Sequence, residues 1–259
     1  MNYSDKIKNN IIYKGNTYGE DMQLVDDGKT HETILHRGCT CRFRESELID
    51  FVTECLDKKE VKYDVLSDES CCGVMLFELK NYEIADKVVK NNIDKFNRHG
   101  VKKIITICPG CYESFTKYYT KYPDFNIDVI FAMDLFNNEE INCEGYIIHD
   151  PCHALERKEQ VRNIVKNVPK DRANSCCGFG AGMKAGSKEL TKKMALKTLS
   201  GSKVITYCPS CYHTLHRVNP DKCVDFFELL KEELWYYLIS ILSIFFWLLN
   251  FIRYLYNKK

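Results

Sequence analysis

The sequence predicts two tandem, pseudo-symmetric α/β domains with small parallel sheets, followed by a C-terminal transmembrane helix. Three observations carry that expectation. One cysteine pattern occurs twice, as Cys39, Cys71-Cys72-Gly73 and Cys108-Pro109-Gly110-Cys111, then as Cys152, Cys176-Cys177-Gly178 and Cys208-Pro209-Ser210-Cys211. Short β-branched runs alternate with stretches of helical apolar spacing around both copies. From Leu234 to Ile252, nineteen consecutive residues carry no charge.

Residues 1–32 form a polar N-terminal extension without the apolar run of a secretory signal, so the cysteines are expected in a reducing compartment, available as metal ligands. The first cysteine-rich domain is placed at 33–137. Thr33-Ile34-Leu35-His36 is a strand leading to Cys39, and Leu48, Ile49, Val52 and Leu56 give 45–56 helical spacing. Residues 61–66 form a second strand, 75–98 one long helix after the Cys71-Cys72-Gly73 piece, and 103–107 a β-branched strand that delivers Cys108. A helix follows Cys111, and 127–131 is a further strand. Each cysteine piece then lies at a strand-to-helix junction, the carboxyl edge where ligands collect in open α/β sheets.

The second domain, 145–230, repeats the plan after a connection at 137–145. Tyr146-Ile147-Ile148-His149 leads to Cys152, 161–168 is a helix, Gly178 precedes a second helix through Leu199, and 203–207 delivers Cys208. Ile104 to Tyr112 matches Val204 to Tyr212 one hundred residues on, the mark of an internal duplication. Between the single cysteine and the pair there are 31 residues in the first copy and 23 in the second, so the second copy is expected to lack a strand.

Segment 234–255 reads as the membrane-spanning helix, since a hydrocarbon core needs roughly 20 apolar residues. Trp235, Tyr236 and Tyr237 at one end and Tyr254 and Tyr256 at the other are spaced like interfacial aromatic belts. The expected location is therefore a membrane, held by a single-pass C-terminal anchor with the cysteine-rich domains in the cytoplasm. A core or partner-docking helix is the alternative, because Ser240, Ser243 and Asn250 dilute the apolar face. With a net charge of +1 and no long basic stretch, the chain offers no electrostatic case for nucleic-acid binding.

The chemistry lies in the repeat, which uses ten of the fourteen cysteines. Five thiolates per copy exceed the four ligands of one tetrahedral zinc ion, and thiolates are the soft ligands that iron–sulfur clusters select. The Cys-Pro-x-Cys loop sets two sulfurs on one tight turn, and Gly73 and Gly178 permit the backbone turn beside the paired cysteines. Cys41 can replace Cys39 as the single ligand, whereas Cys55, Cys143 and Cys223 have no partner motif and read as packed small hydrophobes. His149, His153 and His213 read as ordinary polar or capping residues, with the supply of protons or cluster hydrogen bonds as the alternative. The Gly178-to-Gly182 run lacks the Lys-Ser/Thr of a phosphate loop and suits close backbone approach to a cluster. No carboxylate, serine or arginine constellation marks an organic active site.

The doubled pattern, with His149-Asp150-Pro151-Cys152-His153 and Cys176-Cys177-Gly178-Phe179-Gly180, resembles the cysteine-rich domain of the heterodisulfide reductase catalytic-subunit family. That family includes iron–sulfur subunits of glycolate oxidase, lactate-utilisation proteins and anaerobic glycerol-3-phosphate dehydrogenase. The resemblance implies a noncubane [4Fe-4S] cluster on Cys39, Cys71, Cys72, Cys108 and Cys111, and a second on Cys152, Cys176, Cys177, Cys208 and Cys211. The shortened second set leaves zinc or an ordinary cubane open there. The implied reaction is reductive cleavage of a disulfide of the coenzyme M–coenzyme B type. No ferredoxin-type cysteine run stands beside it, so a ferredoxin-like, flavin or cytochrome subunit is expected to supply electrons. Two further readings stay open: a non-catalytic electron carrier of a membrane-associated glycolate, lactate or glycerol-3-phosphate dehydrogenase, and a zinc-stabilised assembly protein.

Overall fold

The computed structural model describes residues 3–23, 25–169, 176–180 and 187–235. The extension holds a helix that composition alone hid: α1 (Tyr3–Lys14) buries Ile7 and Ile11, one turn apart, against the first cysteine pair and the helix behind it. The first sheet is β1 (Thr33–His36), β2 (Lys103–Thr106) and β3 (Asp128–Phe131), all parallel in the order β1-β2-β3. Ile34, Leu35, Ile104 and Ile105 are buried on both faces, as expected of a parallel sheet covered by helices.

Between β1 and β2 run α2 (Gly38–Phe43), α3 (Glu47–Lys58), α4 (Val74–Glu78) and α5 (Tyr82–Arg98). The single helix expected over 75–98 is thus two. Lys80 takes a left-handed conformation at φ 58°, and the Asn81 N–H turns back to the Leu76 carbonyl at 2.8 Å, closing α4 before α5 begins. The strand expected at 61–66 shrinks to one parallel bridge between Ile34 and Asp64. After β2, α6 (Pro109–Glu113) starts at the proline of the Cys-Pro-x-Cys loop, so Cys111 lies inside the helix rather than before it.

In the second half, β4 (Ile141–Asn142) pairs with β6 (Val165–Lys166). β5 (Tyr146–His149), β7 (Lys203–Thr206) and β8 (Cys223–Asp225) form a parallel sheet in the order β5-β7-β8. The helices are α7 (Lys158–Ile164), α8 (Lys188–Thr198), α9 (Pro209–Val218) and α10 at 226–235. Among the described residues each half has a three-stranded parallel sheet, and the second shows no counterpart of the Asp64 bridge. The helix expected after Gly178 is described as α8, whose Ser187 side chain accepts from the Leu190 N–H. One apolar cluster, including Leu35, Ile105, Phe131, Ile148, Val204 and Phe227, joins both sheets.

The transmembrane expectation is corrected. Among the described residues no helix is long and apolar enough to cross a membrane. The start of segment 234–255 belongs to α10, an amphipathic helix whose Phe226, Phe227, Leu230 and Leu234 pack on the core while Glu232 and Glu233 face water. Trp235 lies beside the Lys58 ammonium, 5.3 Å from the ring centre. Residues 236–259 lie outside the described residues, and the predicted single-pass membrane location is withdrawn with the anchor.

Candidate metal centre

Both copies place their cysteines by the same local devices. In each, the residue after the pair is a glycine with left-handed backbone, Gly73 at φ 83° and Gly178 at φ 84°. Its N–H approaches the first sulfur of the pair, 3.4 Å from Cys71 Sγ and 3.4 Å from Cys176 Sγ. Each Cys-Pro-x-Cys loop leaves the end of a central strand in extended conformation at Cys108 or Cys208, then enters a helix with proline in the first turn.

All ten cysteines of the repeat line one cavity between the two sheets. The thiols form a chain. Cys39 meets Cys71, which meets Cys72; Cys72 meets Cys111, and Cys111 meets Cys108. Cys108 then contacts Cys208 across the two halves, and Cys208 leads through Cys211 and Cys177 to Cys176. The Cys211 and Cys177 sulfurs are 3.3 Å apart. Hydrogen bonds from neighbouring thiols hold Cys72, Cys108 and Cys177 well below the usual thiol range despite burial, while the donors Cys71, Cys111, Cys208 and Cys211 are pushed up. Cys152 is exposed at the rim.

Cys39, not Cys41, joins this chain of sulfurs. The Cys41 side chain is fully buried in the apolar core, and burial raises its thiol well above the ordinary value. Burial likewise pushes Cys55 up to about 12 and Cys143 up to about 11, and raises Cys223. These four behave as small core hydrophobes.

Residues beyond the cysteines complete the surroundings, His36, Thr106, Thr206 and Glu69 among them not singled out by the motifs. His36 ends β1 as His149 ends β5, each three residues before the single cysteine, and Thr106 and Thr206 pair with them across the sheets. Aligning the two copies on Cys39 and Cys152 exposes this match. His36 Nδ1 and Nε2, His149 Nδ1 and both threonine hydroxyls are buried with no hydrogen-bond partner. His149 also stands with Cys177 and Cys211 in a cluster whose ligand atoms all lie within 4.8 Å of one another.

Glu69 ties the exit of β1 to the first cysteine pair, accepting from Gly38 N at 2.9 Å and Arg37 Nε at 3.0 Å. Burial opposes its charge, but His36, Arg37 and Arg42 together hold the carboxyl below its ordinary value. Asp150 plays the equivalent part through Arg162 at 2.9 Å and the Tyr207 hydroxyl at 3.1 Å. At the cavity rim His153 lies between two carboxylates, Nε2 2.7 Å from Glu78 and Nδ1 against Glu113. His213 is buried against Glu45, the ordinary polar role read for it.

The donor set suits an iron–sulfur centre. Two five-thiol groups on one cavity offer more soft ligands than a zinc ion takes. In the second set, His149 with Cys177 and Cys211 also offers a nitrogen–sulfur arrangement that zinc accepts.

Comparison with known proteins agrees with this chemistry. The family described as the cysteine-rich domain, CCG, matches twice, over residues 33–116 and 146–216. An uncharacterised iron–sulfur protein of Methanococcus maripaludis is 26% identical over 74% of this chain and 42% of its own length. A subunit of the dihydromethanophenazine:CoB–CoM heterodisulfide reductase of Methanosarcina barkeri is 28% identical over 83% of this chain and 61% of its own. An EtfAB:quinone oxidoreductase of Syntrophomonas wolfei is 26% identical over 73% of this chain and 31% of its own. The chain thus spans about half the length of the curated relatives it matches.

Proposed function

Because this chain belongs to the cysteine-rich CCG domain family, we propose that it is an iron–sulfur oxidoreductase subunit that reduces a disulfide of the heterodisulfide type. Cys39, Cys71, Cys72, Cys108 and Cys111 would hold one [4Fe-4S] centre of noncubane type, and Cys152, Cys176, Cys177, Cys208 and Cys211 a second. The observation that carries the reading is the single cavity onto which all ten cysteines open. The similarity to a heterodisulfide reductase of Methanosarcina barkeri supports it.

The bound centres would supply one-electron chemistry at soft iron. Reduction breaks one S–S bond, consumes two electrons and two protons, and releases two thiols. A ferredoxin-like, flavin or cytochrome partner would supply the electrons. This chain's own residues handle orientation and protons. His153 faces a carboxylate from each ring nitrogen, so both nitrogens carry hydrogen, and it stands beside Cys152 where a leaving thiolate needs a proton. Glu69 and Asp150, each held by arginine, keep the cysteine loops of the two halves in register. Phe179 and Met75 add apolar wall to the cavity.

A second reading is electron transfer without disulfide chemistry. The unbroken contact from Cys39 to Cys176 through Cys108 and Cys208 favours it, since the same sulfurs would relay electrons between the halves. The relative named as a quinone oxidoreductase supports it.

Anaerobic iron, sulfide and zinc content, with electron paramagnetic resonance of oxidised protein mixed with thiols, tests the proposal. About eight irons per chain with a thiol-dependent signal supports the reductase. About four irons with one zinc, or a signal that ignores thiols, moves the assignment to electron transfer. Zinc alone ends the redox reading.

A further inference from the structure

Where the chain enters β1 and β2, at the end of the first sheet away from Cys39 and Cys108, two histidines and several aspartates gather. His99 is 1% exposed, and its Nδ1 lies 2.9 Å from the Lys29 carbonyl oxygen. A carbonyl only accepts, so Nδ1 carries a hydrogen, and Nε2 is the ring atom left to meet a ligand. Nε2 faces two carboxylate oxygens, Asp68 Oδ1 at 3.3 Å and Asp26 Oδ1 at 3.6 Å. Neither His99 Nε2 nor Asp68 Oδ1 has a hydrogen-bond partner, and Asp68 is 4% exposed. A buried imidazole nitrogen and a buried carboxylate oxygen that meet without a hydrogen bond leave a place for a metal cation.

We propose that His99, Asp68 and Asp26 form a site for a divalent first-row transition metal, separate from the cysteine centre. Donor atoms about 2.1 Å from a tetrahedral metal lie about 3.4 Å from one another, and the observed separations of 3.3 and 3.6 Å match that edge. The ligand atoms of these three residues all lie within 4.8 Å of one another. The imidazole bond to a backbone carbonyl is the outer contact that orients metal-bound histidines.

The remaining charges leave room for the ion. Arg98 holds the outer oxygen of Asp26 at 2.8 Å and lies 4.0 Å from the outer oxygen of Asp68, and Lys95 lies 3.9 Å from that same oxygen, so the inner oxygens stay directed at His99. His31, whose ring centre lies 5.4 Å from that of His99, is engaged separately with Asp27 at 2.9 Å and Asp64 at 3.1 Å. Asp27 Oδ1 approaches only the hydrogen-bearing side of His99, at 3.7 Å from Nδ1. A nitrogen-and-carboxylate set prefers zinc, iron or manganese over the soft-metal chemistry of the thiols. Bound there, the ion would join the N-terminal loop, the end of α5 and the segment carrying Cys71.

The test adds Co²⁺ to the anaerobic, iron-loaded chain. One equivalent should bind with visible d–d bands and no sulfur-to-cobalt charge-transfer band, raising the thermal midpoint. Asp26→Asn and His99→Gln should each weaken binding at least tenfold with iron content unchanged. Asp26 is partly exposed, so its variant decides the matter should the buried His99→Gln fail to fold. No cobalt uptake by the native chain, uptake with a thiolate band, or native affinity in Asp26→Asn would each overturn the site. So would a ¹⁵N spectrum of cobalt-free protein with both His99 nitrogens protonated and unchanged on adding Zn²⁺.

Discussion

Replacing Gly178 by alanine should damage the second half far more than Gly73→Ala damages the first, although the two glycines share a motif and a backbone angle. Both have left-handed φ, 84° and 83°, where an L side chain costs about 1–2 kcal/mol. Their surroundings differ. A Cβ at Gly178 would stand 3.0 Å from the Thr191 carbonyl oxygen and 3.1 Å from Thr191 Cα, backbone of α8 that cannot swing aside. At Gly73 the nearest atom is Val88 Cγ1 at 3.3 Å, a side-chain methyl that can give. Forcing a methyl against fixed backbone adds about 1–3 kcal/mol. The expected losses are therefore roughly 2–5 kcal/mol for Gly178→Ala and roughly 1–2 for Gly73→Ala, against a total stability of about 5–15. Because Gly178 directly follows Cys177, the strain should also reduce metal loading of the second set. Anaerobic urea unfolding with iron per chain measures both effects. Equal losses, or a greater loss at Gly73, would refute the steric argument.

Further outcomes can be measured on the same material. Burial raises Asp225 to about 7 from its ordinary 3.8, against backbone hydrogen bonds that lower it. A raised folded pKa means that this carboxyl's contribution to stability is fully present below about pH 4 and is lost as pH rises through about 7, by an amount on the order of 4 kcal/mol. Asp225→Asn retains an acceptor for the Phe227 N–H and should remove that fall, seen as urea midpoints that no longer drop between pH 5 and 7.5. Cys41→Ser should cost about 1–3 kcal/mol by burying an unpartnered hydroxyl while leaving iron content intact, whereas Cys39→Ser should lower iron with little loss of fold; the opposite pattern would exchange their roles. Asn92 donates to the Cys71 carbonyl at 2.9 Å and the Tyr119 hydroxyl at 2.8 Å, and accepts from Ser70 at 2.6 Å. Asn92→Ala should lower stability by about 2–4 kcal/mol and loosen Cys71, and an unchanged midpoint would contradict that network.

The duplicated pattern revealed the parallel sheets and the grouping of ten cysteines because both depend on local rules. Strand runs, turn glycines and proline at a helix start are properties of neighbouring residues, and each copy repeats them. The histidine match, His36 with His149, was equally present in the spacing before Cys39 and Cys152. Other features were not local. The break at Lys80 follows from a helix end closing on Leu76, and the reduction of 61–66 to one bridge follows from where the chain leaves β1. Residues 234 and 235 have the composition of a membrane segment, yet here they continue an amphipathic helix docked on the core.

The sequence by itself determined that ten cysteines come in two equivalent sets, since residue identity and motif spacing do not depend on the fold. Only the tertiary structure decided that the sets meet at Cys108 and Cys208, that Cys39 rather than Cys41 joins them, and that His99 faces Asp26 and Asp68. Those outcomes rest on packing between segments far apart in the chain. The contact between residues 108 and 208 is fixed by two sheets sharing one core, and no local periodicity encodes that distance.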